Sequence, residues 1–210
     1  MNDDLFAAAE VIGIVAFAVS GGYAAVRAGM DWLGVVVLAV VVAVGGGTLR
    51  DLLLGIEPVW WVTAPGMLIV AAVTSLVVIV VASRHPQSKV DSWRTVLYAD
   101  AVGLAAFTVT GASIALAEDV RPWVAVVFGV ITGTGGGVIR DVLVRRRPQI
   151  LVGEIYALAS IAGAVLYVVL RETTVPSGAA ALSGGALVLL IRAGAMRWHW
   201  RLPRFSEPHS

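Results

Sequence analysis

Val44–Gly55 reads VGGGTLRDLLLG, and Gly133–Pro148 reads GTGGGVIRDVLVRRRP. Each stretch sets three consecutive glycines and then an Arg-Asp pair inside an apolar run. Glycine weakens a helix by about 1 kcal/mol relative to alanine. A charge at the centre of a bilayer costs about 2.5–3.5 kcal/mol on insertion scales. A chain that makes both choices twice needs a reason that glycine and charge share.

The surroundings say that the medium is a membrane. Of the 210 residues, 59% are hydrophobic and only 14% charged, and mean hydropathy is +0.89. A soluble domain of this length needs a more charged surface. The apolar residues fall in long uninterrupted runs, the pattern of membrane spans. Runs of about 20 residues are placed at Leu5–Val26, Trp32–Leu54, Thr63–Ser83, Trp93–Ala117, Pro122–Val144, Ile150–Leu170 and Gly178–Ala195. Pro65, Ser92, Pro122 and Ser177 mark helix starts. Trp32, Trp60, Trp61, Trp93, Trp123, Trp198 and Trp200 fall near predicted ends, where an indole prefers the interface. MNDDLF lacks the basic start of a signal peptide, so the first run is expected to stay as a span. The expected fold is all-α and integral to the membrane, one domain over 1–210.

Arg27, then Arg84, Lys89 and Arg94, then Arg145, Arg146 and Arg147, then Arg192, Arg197, Arg201 and Arg204 fall on one side of such a topology. Arg121 and Arg171 fall on the other. The positive-inside rule then puts the N-terminus outside and the C-terminus in the cytoplasm, in the plasma or inner membrane.

Displaced by 90 residues, the chain matches itself without a gap. Ala7–Gly21 lies over Leu97–Gly111, and Gly45–Pro58 over Gly135–Pro148. Glu10 falls on Asp100, Gly13 on Gly103, Phe17 on Phe107, Arg50 on Arg140, and Asp51 on Asp141. The units are 5–83 and 93–170, with the seventh helix at 178–195 and a cytoplasmic tail at 196–210. Three spans per unit is odd, so the second unit enters from the opposite side. Inverted repeats with interrupted helices at equivalent places mark transport proteins. The triplets Gly45–Gly47 and Gly135–Gly137 are therefore expected to break the second and fifth spans. The plainer role of such glycines is close packing of helices, and the two are compatible.

The charges need partners. Adjacent helix residues do not face each other, so Arg50 is not simply neutralised by Asp51. Depth matches Arg50 with Glu10 and Arg140 with Asp100, which predicts two ion pairs at the mouths of a shared cavity. Glu10, Gly13, Phe17 and Ser20 share one helical face, and Asp100, Gly103, Phe107 and Thr110 repeat it. Ser20, Thr48, Thr110, Thr132 and Thr134 are candidate hydroxyls, each weak alone because such groups often bond back to their own helix. Arg145–Arg147 read first as a topology determinant and second as a contact for anionic head groups.

These features, the doubled GGGxxRD pattern above all, resemble the bacterial branch of the trimeric intracellular cation channel family, a group also labelled glycine transporter. The resemblance runs from about Leu5 to Ala195. It implies a homotrimer with a pore in each subunit and passive flow of monovalent cations, chiefly potassium. It also implies that Gly45, Gly46, Gly47, Arg50, Asp51, Gly135, Gly136, Gly137, Arg140 and Asp141 line or gate that pore. Animal members carry a functional lysine in the fourth span, whereas the only lysine here is Lys89, between spans.

Two readings stay open at this level. One is a channel, the other a secondary transporter for a small solute such as glycine, since inverted repeats suit both. An enzyme is not expected, because the chain has no cysteine and no Ser-His or His-Asp constellation, and His85, His199 and His209 lack metal-ligand spacing. No cofactor, metal or nucleic-acid partner is expected.

Overall fold

The computed structural model describes residues 3–84, 92–152, 155–200 and 202, and these are helical almost throughout. The helices are α1 (Asp3–Arg27), α2 (Trp32–Leu54), a single turn α3 (Trp60–Thr63), α4 (Gly66–Arg84), α5 (Ser92–Ala117), α6 (Pro122–Leu143), α7 (Ala157–Arg171) and α8 (Ser177–Trp198). Six of them (α1, α2, α4, α5, α6 and α8) are long and apolar enough to cross a membrane.

Local chemistry sets the ends. Asp31 Oδ1 accepts from Gly34 N at 2.7 Å and caps α2, and Pro122 opens α6 where no amide is needed. Gly55 closes α2 in the left-handed region, φ 71°, its N–H donating to the Asp51 carbonyl.

The helices pack as two like sets. Within one set α1, α2 and α4 touch each other, and within the other α5, α6 and α7 do the same. The sets meet where α1 packs on α5 and α2 on α6, and α8 lies against α7 and α5. The outer faces of the helices carry apolar residues such as Ile69, Val77, Val169 and Leu190, as suits helices apolar enough to cross a membrane.

Two expectations are corrected. First, α2 and α6 run unbroken through their glycine triplets. In a bilayer no water competes for backbone groups, so a continuous helix survives residues that weaken it in water. The glycines instead let two backbones touch. A Cβ on Gly46 would strike the Thr132 carbonyl, and one on Gly136 would strike the Val42 carbonyl. Second, the sixth span starts late. Its helix is Ala157–Arg171, 15 residues, preceded by a 3-10 turn at Gln149–Leu151. At 1.5 Å per residue this helix is about 22 Å long, short of a 30 Å hydrocarbon core. The segment before it is held by contacts with α6 described below. The third span is likewise helical as Gly66–Arg84, with Trp60–Thr63 forming a separate turn.

Candidate functional site

Arg140 is completely buried on α6 and holds three side chains at once. Its guanidinium lies 2.5 Å from Asp100 of α5 and 2.8 Å from Asp141 beside it, and it donates to Ser20 Oγ of α1 at 2.6 Å. The expected Asp100–Arg140 pair is therefore present. A buried guanidinium is tolerable only when paired and hydrogen-bonded, and two carboxylates and a hydroxyl meet that condition. Asp141 also holds the backbone beyond α6. Its Oδ2 accepts from Gln149 N at 3.0 Å and fixes the start of the 3-10 turn. Tyr156 closes this end, its hydroxyl lying where a side chain on Gly137 would go.

The Arg50 end follows the same plan with a different outcome. Arg50 folds back on its neighbour, with Nε 2.8 Å and a terminal nitrogen 2.7 Å from Asp51 Oδ1. The sequence argument against this pair is corrected: helix neighbours point apart at Cβ, but a long arginine can curl back to an adjacent carboxylate. Asp51 Oδ2 accepts from Trp60 N at 2.8 Å and so anchors α3, as Asp141 anchors the turn after α6. The Trp60 indole lies where a side chain on Gly47 would go. The predicted Glu10–Arg50 ion pair is absent among the described residues. Both side chains line one narrow neck instead, with Gly47, Trp60, Phe107, Thr110 and Thr132. A cavity of about 240 Å³ shares Glu10 and Thr110 with the neck and is otherwise walled by Phe6, Ala7, Ser113, Ile114 and Ala117.

Between the two ends the repeats interlock. Phe17 and Phe107 lie with ring centroids 5.4 Å apart and planes tilted by 47°. Phe107 occupies the space above Gly13, and Phe17 that above Gly103. The exchange is reciprocal, as in a twofold interface, and matches the Gly46–Thr132 and Gly136–Val42 contacts between α2 and α6.

Comparison with known proteins now bears on this arrangement. A family model described as "Glycine transporter" matches twice, at residues 7–83 and 97–172. The two matches coincide with the two helix sets. An Escherichia coli (strain K12) protein, "UPF0126 inner membrane protein YadS", is 46% identical over 198 residues, 94% of each chain. A Bacillus subtilis (strain 168) protein, "UPF0126 membrane protein YvgT", is 35% identical over 94% of this chain and 95% of its own. Among solved structures, the TRIC trimeric intracellular cation channel orthologue from Rhodobacter sphaeroides superposes with a TM-score of 0.87 at 39% identity, over 92% of this chain and 98% of that one. The chain belongs to the bacterial branch of the trimeric intracellular cation channel family. A second solved member, described under "Structural basis for conductance through TRIC cation channels", gives 0.85 at 37% identity with both chains fully covered.

In this family member the sequence-chosen residues converge with few exceptions. Gly45, Gly46, Gly135 and Gly136 face the opposite helix at the α2–α6 crossing, while Gly47 and Gly137 make room for Trp60 and Tyr156. Arg50, Asp51, Glu10 and Thr110 gather at one end, and Arg140, Asp141, Asp100 and Ser20 at the other. Thr48, Thr132 and Thr134 donate back to the carbonyls of Val44, Phe128 and Val130, so their hydroxyl protons are already engaged. Sequence reasoning missed Trp60, Tyr156 and Gln149, which reach the charges from connecting segments. It also missed Arg192 as a buried residue. Arg192 is fully buried in α8, donates to Gln149 Oε1 at 3.2 Å, and lies 4.9 Å from the Tyr156 ring centre. Its place inside a hydrophobic run was the available signal.

Proposed function

We propose that the chain is a passive monovalent-cation channel, conducting chiefly potassium, with a pore inside each subunit of a homotrimer. The observation that carries this is the vestibule at the Arg50 end. A cavity bearing the carboxylate of Glu10 adjoins a neck lined by residues of both repeats, Glu10, Gly47, Arg50 and Trp60 of the first and Phe107, Thr110 and Thr132 of the second. At each end two carboxylates face one guanidinium: Glu10 and Asp51 with Arg50, Asp100 and Asp141 with Arg140. With all groups ionised, each set leaves one net negative charge, so the arginines do not by themselves repel a cation.

In this reading Gly45, Gly46, Gly47, Arg50, Asp51, Gly135, Gly136, Gly137, Arg140, Asp141, Glu10, Asp100, Ser20 and Thr110 line or gate the path. In the same reading Phe17 and Phe107 seal the path at the centre, and Arg140 and Tyr156 seal it at the far end. The two helix sets are inverted repeats in a seven-span protein, with α7 as a short sixth span and α8 as the seventh. The Arg140 end faces the cytoplasm, where Arg145, Arg146 and Arg147 also meet anionic head groups. The relatives support the trimer and the cation, since the solved ones are described as trimeric and as cation channels. The E. coli relative, described as an inner membrane protein, supports the location.

One observation favours transport of a zwitterion such as glycine. Glu10 and Arg50, an acid and a base, line the same narrow neck beside a larger cavity, a pairing that suits the amino and carboxylate groups of one small solute. Reconstitution separates the two readings. The purified protein in a planar bilayer under a potassium gradient should give discrete current steps that reverse near the potassium potential. Absence of steps, together with saturable uptake of labelled glycine by liposomes from the same preparation, would replace the channel with the transporter.

A further inference from the structure

A cavity of about 440 Å³ lies between the first turns of α5 and the last turns of α8. Its wall contains Arg94, Arg192 and Arg197, together with His199 and Trp200, and no acidic residue among the described residues. The volume falls within the range of small-ligand sites, roughly 300–1,000 Å³.

The arginines occupy different levels. Arg94 and Arg197 are exposed at the rim and make no ion pair among the described residues. Arg192 is buried beneath the wall, its guanidinium held toward Gln149 Oε1 and the Ile155 carbonyl. A guanidinium held in place loses little freedom when an anion arrives, which makes it a preorganised charge. One held guanidinium below and two exposed ones at the rim make the cavity selective for an anion. The planar fork of arginine matches phosphate oxygens best.

The rest of the wall is apolar, with Leu97, Tyr98, Ala195, Met196 and Trp200. Trp198 stacks on Trp200 at 5.6 Å and 22°, and aromatic rings of this kind sit at the headgroup level of a membrane. The wall of the cavity therefore combines cationic and apolar side chains.

We infer that the cavity between α5 and α8 binds a phosphate group at the membrane boundary, held by Arg94 and Arg197 at the rim over the buried charge of Arg192. The charged-and-apolar wall favours the headgroup of an anionic phospholipid, and a soluble phosphate presents the same chemistry. The cavity is not lined by Arg145, Arg146 or Arg147, and Arg192 links it through Gln149 and Tyr156 to the Arg140 end.

Binding to the full chain tests the site, whether or not the protein conducts. Native mass spectrometry of delipidated protein would count retained phosphatidylglycerol and phosphatidylcholine. Thermal unfolding in millimolar inorganic phosphate would register a soluble ligand. Removing two basic residues should weaken phosphatidylglycerol binding by roughly 10- to 30-fold. The expected result is retention of phosphatidylglycerol over phosphatidylcholine, lost in the Arg94→Gln/Arg197→Gln double variant and kept in Arg145→Gln/Arg147→Gln. Protection by inorganic phosphate that vanishes in the first double variant would also support the site and make its ligand soluble. Should that variant fold poorly, Arg197→Lys and Arg197→Gln are compared instead, with binding kept by lysine and weakened by glutamine. Equal retention of the two lipids with no phosphate protection, or equal loss in both double variants, would overturn the inference.

Discussion

Arg140 donates to Ser20 at 2.6 Å and so ties the second repeat to the first. The equivalent pair 90 residues displaced, Arg50 and Thr110, is not joined. Thr110 Oγ1 is buried without a hydrogen-bond partner among the described residues, and Arg50 turns to Asp51. Two chemically alike ends thus sit in different states, one locked and one slack. A gate requires one element with two arrangements, and the Arg50 end shows the arrangement that the Arg140 end would take on release.

Glu10 should act on ions without holding the fold. It is half-buried and makes no ion pair among the described residues. Glu10→Gln is expected to leave thermal stability within about 0.5 kcal/mol. It should reduce potassium conductance at low ionic strength. The difference from wild type should shrink at about 1 M salt, where the screening length is about 3 Å. Single-channel conductance measured across a salt series checks this.

Asp100 should behave in the opposite way. It is fully buried against Arg140. Asp100→Ala leaves the guanidinium with one carboxylate fewer and should cost about 3–5 kcal/mol, the usual loss when one member of a buried pair is removed. Thermal unfolding in detergent, compared with Glu10→Gln, gives the ranking.

The glycine triplets should divide by what each faces. A side chain on Gly46 or Gly136 meets a backbone carbonyl of the opposite helix, which cannot move aside cheaply. Gly46→Ala and Gly136→Ala should each destabilise by about 1–3 kcal/mol or more. Gly45→Ala meets only the tip of Ile139 and should cost less, while Gly66→Ala enters open space and should be nearly neutral. Melting temperatures of the four variants test the order.

Asp51 should protect a connecting segment as well as neutralise Arg50. Asp51→Ala removes the acceptor for Trp60 N and the partner of Arg50 together. Amide exchange at Trp60 should rise by at least tenfold, because a charge-assisted bond worth about 1.5–3 kcal/mol is lost. Unchanged exchange there would mean that α3 is held by packing alone.

Much of this architecture is readable in the sequence. The constant offset of matched charges and glycines marks the two repeats, which fold as like helix sets. Depth in the predicted spans identifies Asp100 as the partner of Arg140. The same logic fails for Arg50, because depth and helical facing describe Cβ atoms, while an arginine places its charge several bonds further out. Broken helices are expected from the propensity of glycine in water, a scale that does not carry over to a helix shielded from water. Trp60, Gln149 and Tyr156 stay hidden because they come from connections whose paths depend on tertiary contacts. The late start of α7 has the same origin: Gln149 is held by Asp141, so the chain there serves the charge cluster before it turns helical.

The measurement that bears most directly on the gate is open probability in planar bilayers for wild type and Ser20→Ala. Removing the Ser20 hydroxyl cuts the tether between repeats while leaving Arg140 paired with Asp100 and Asp141. If the locked end is the gate, unitary potassium conductance should be unchanged and open probability should rise severalfold, matching the roughly 1 kcal/mol of one hydrogen bond. An unchanged open probability with unchanged conductance would contradict a gate at Arg140 and Ser20.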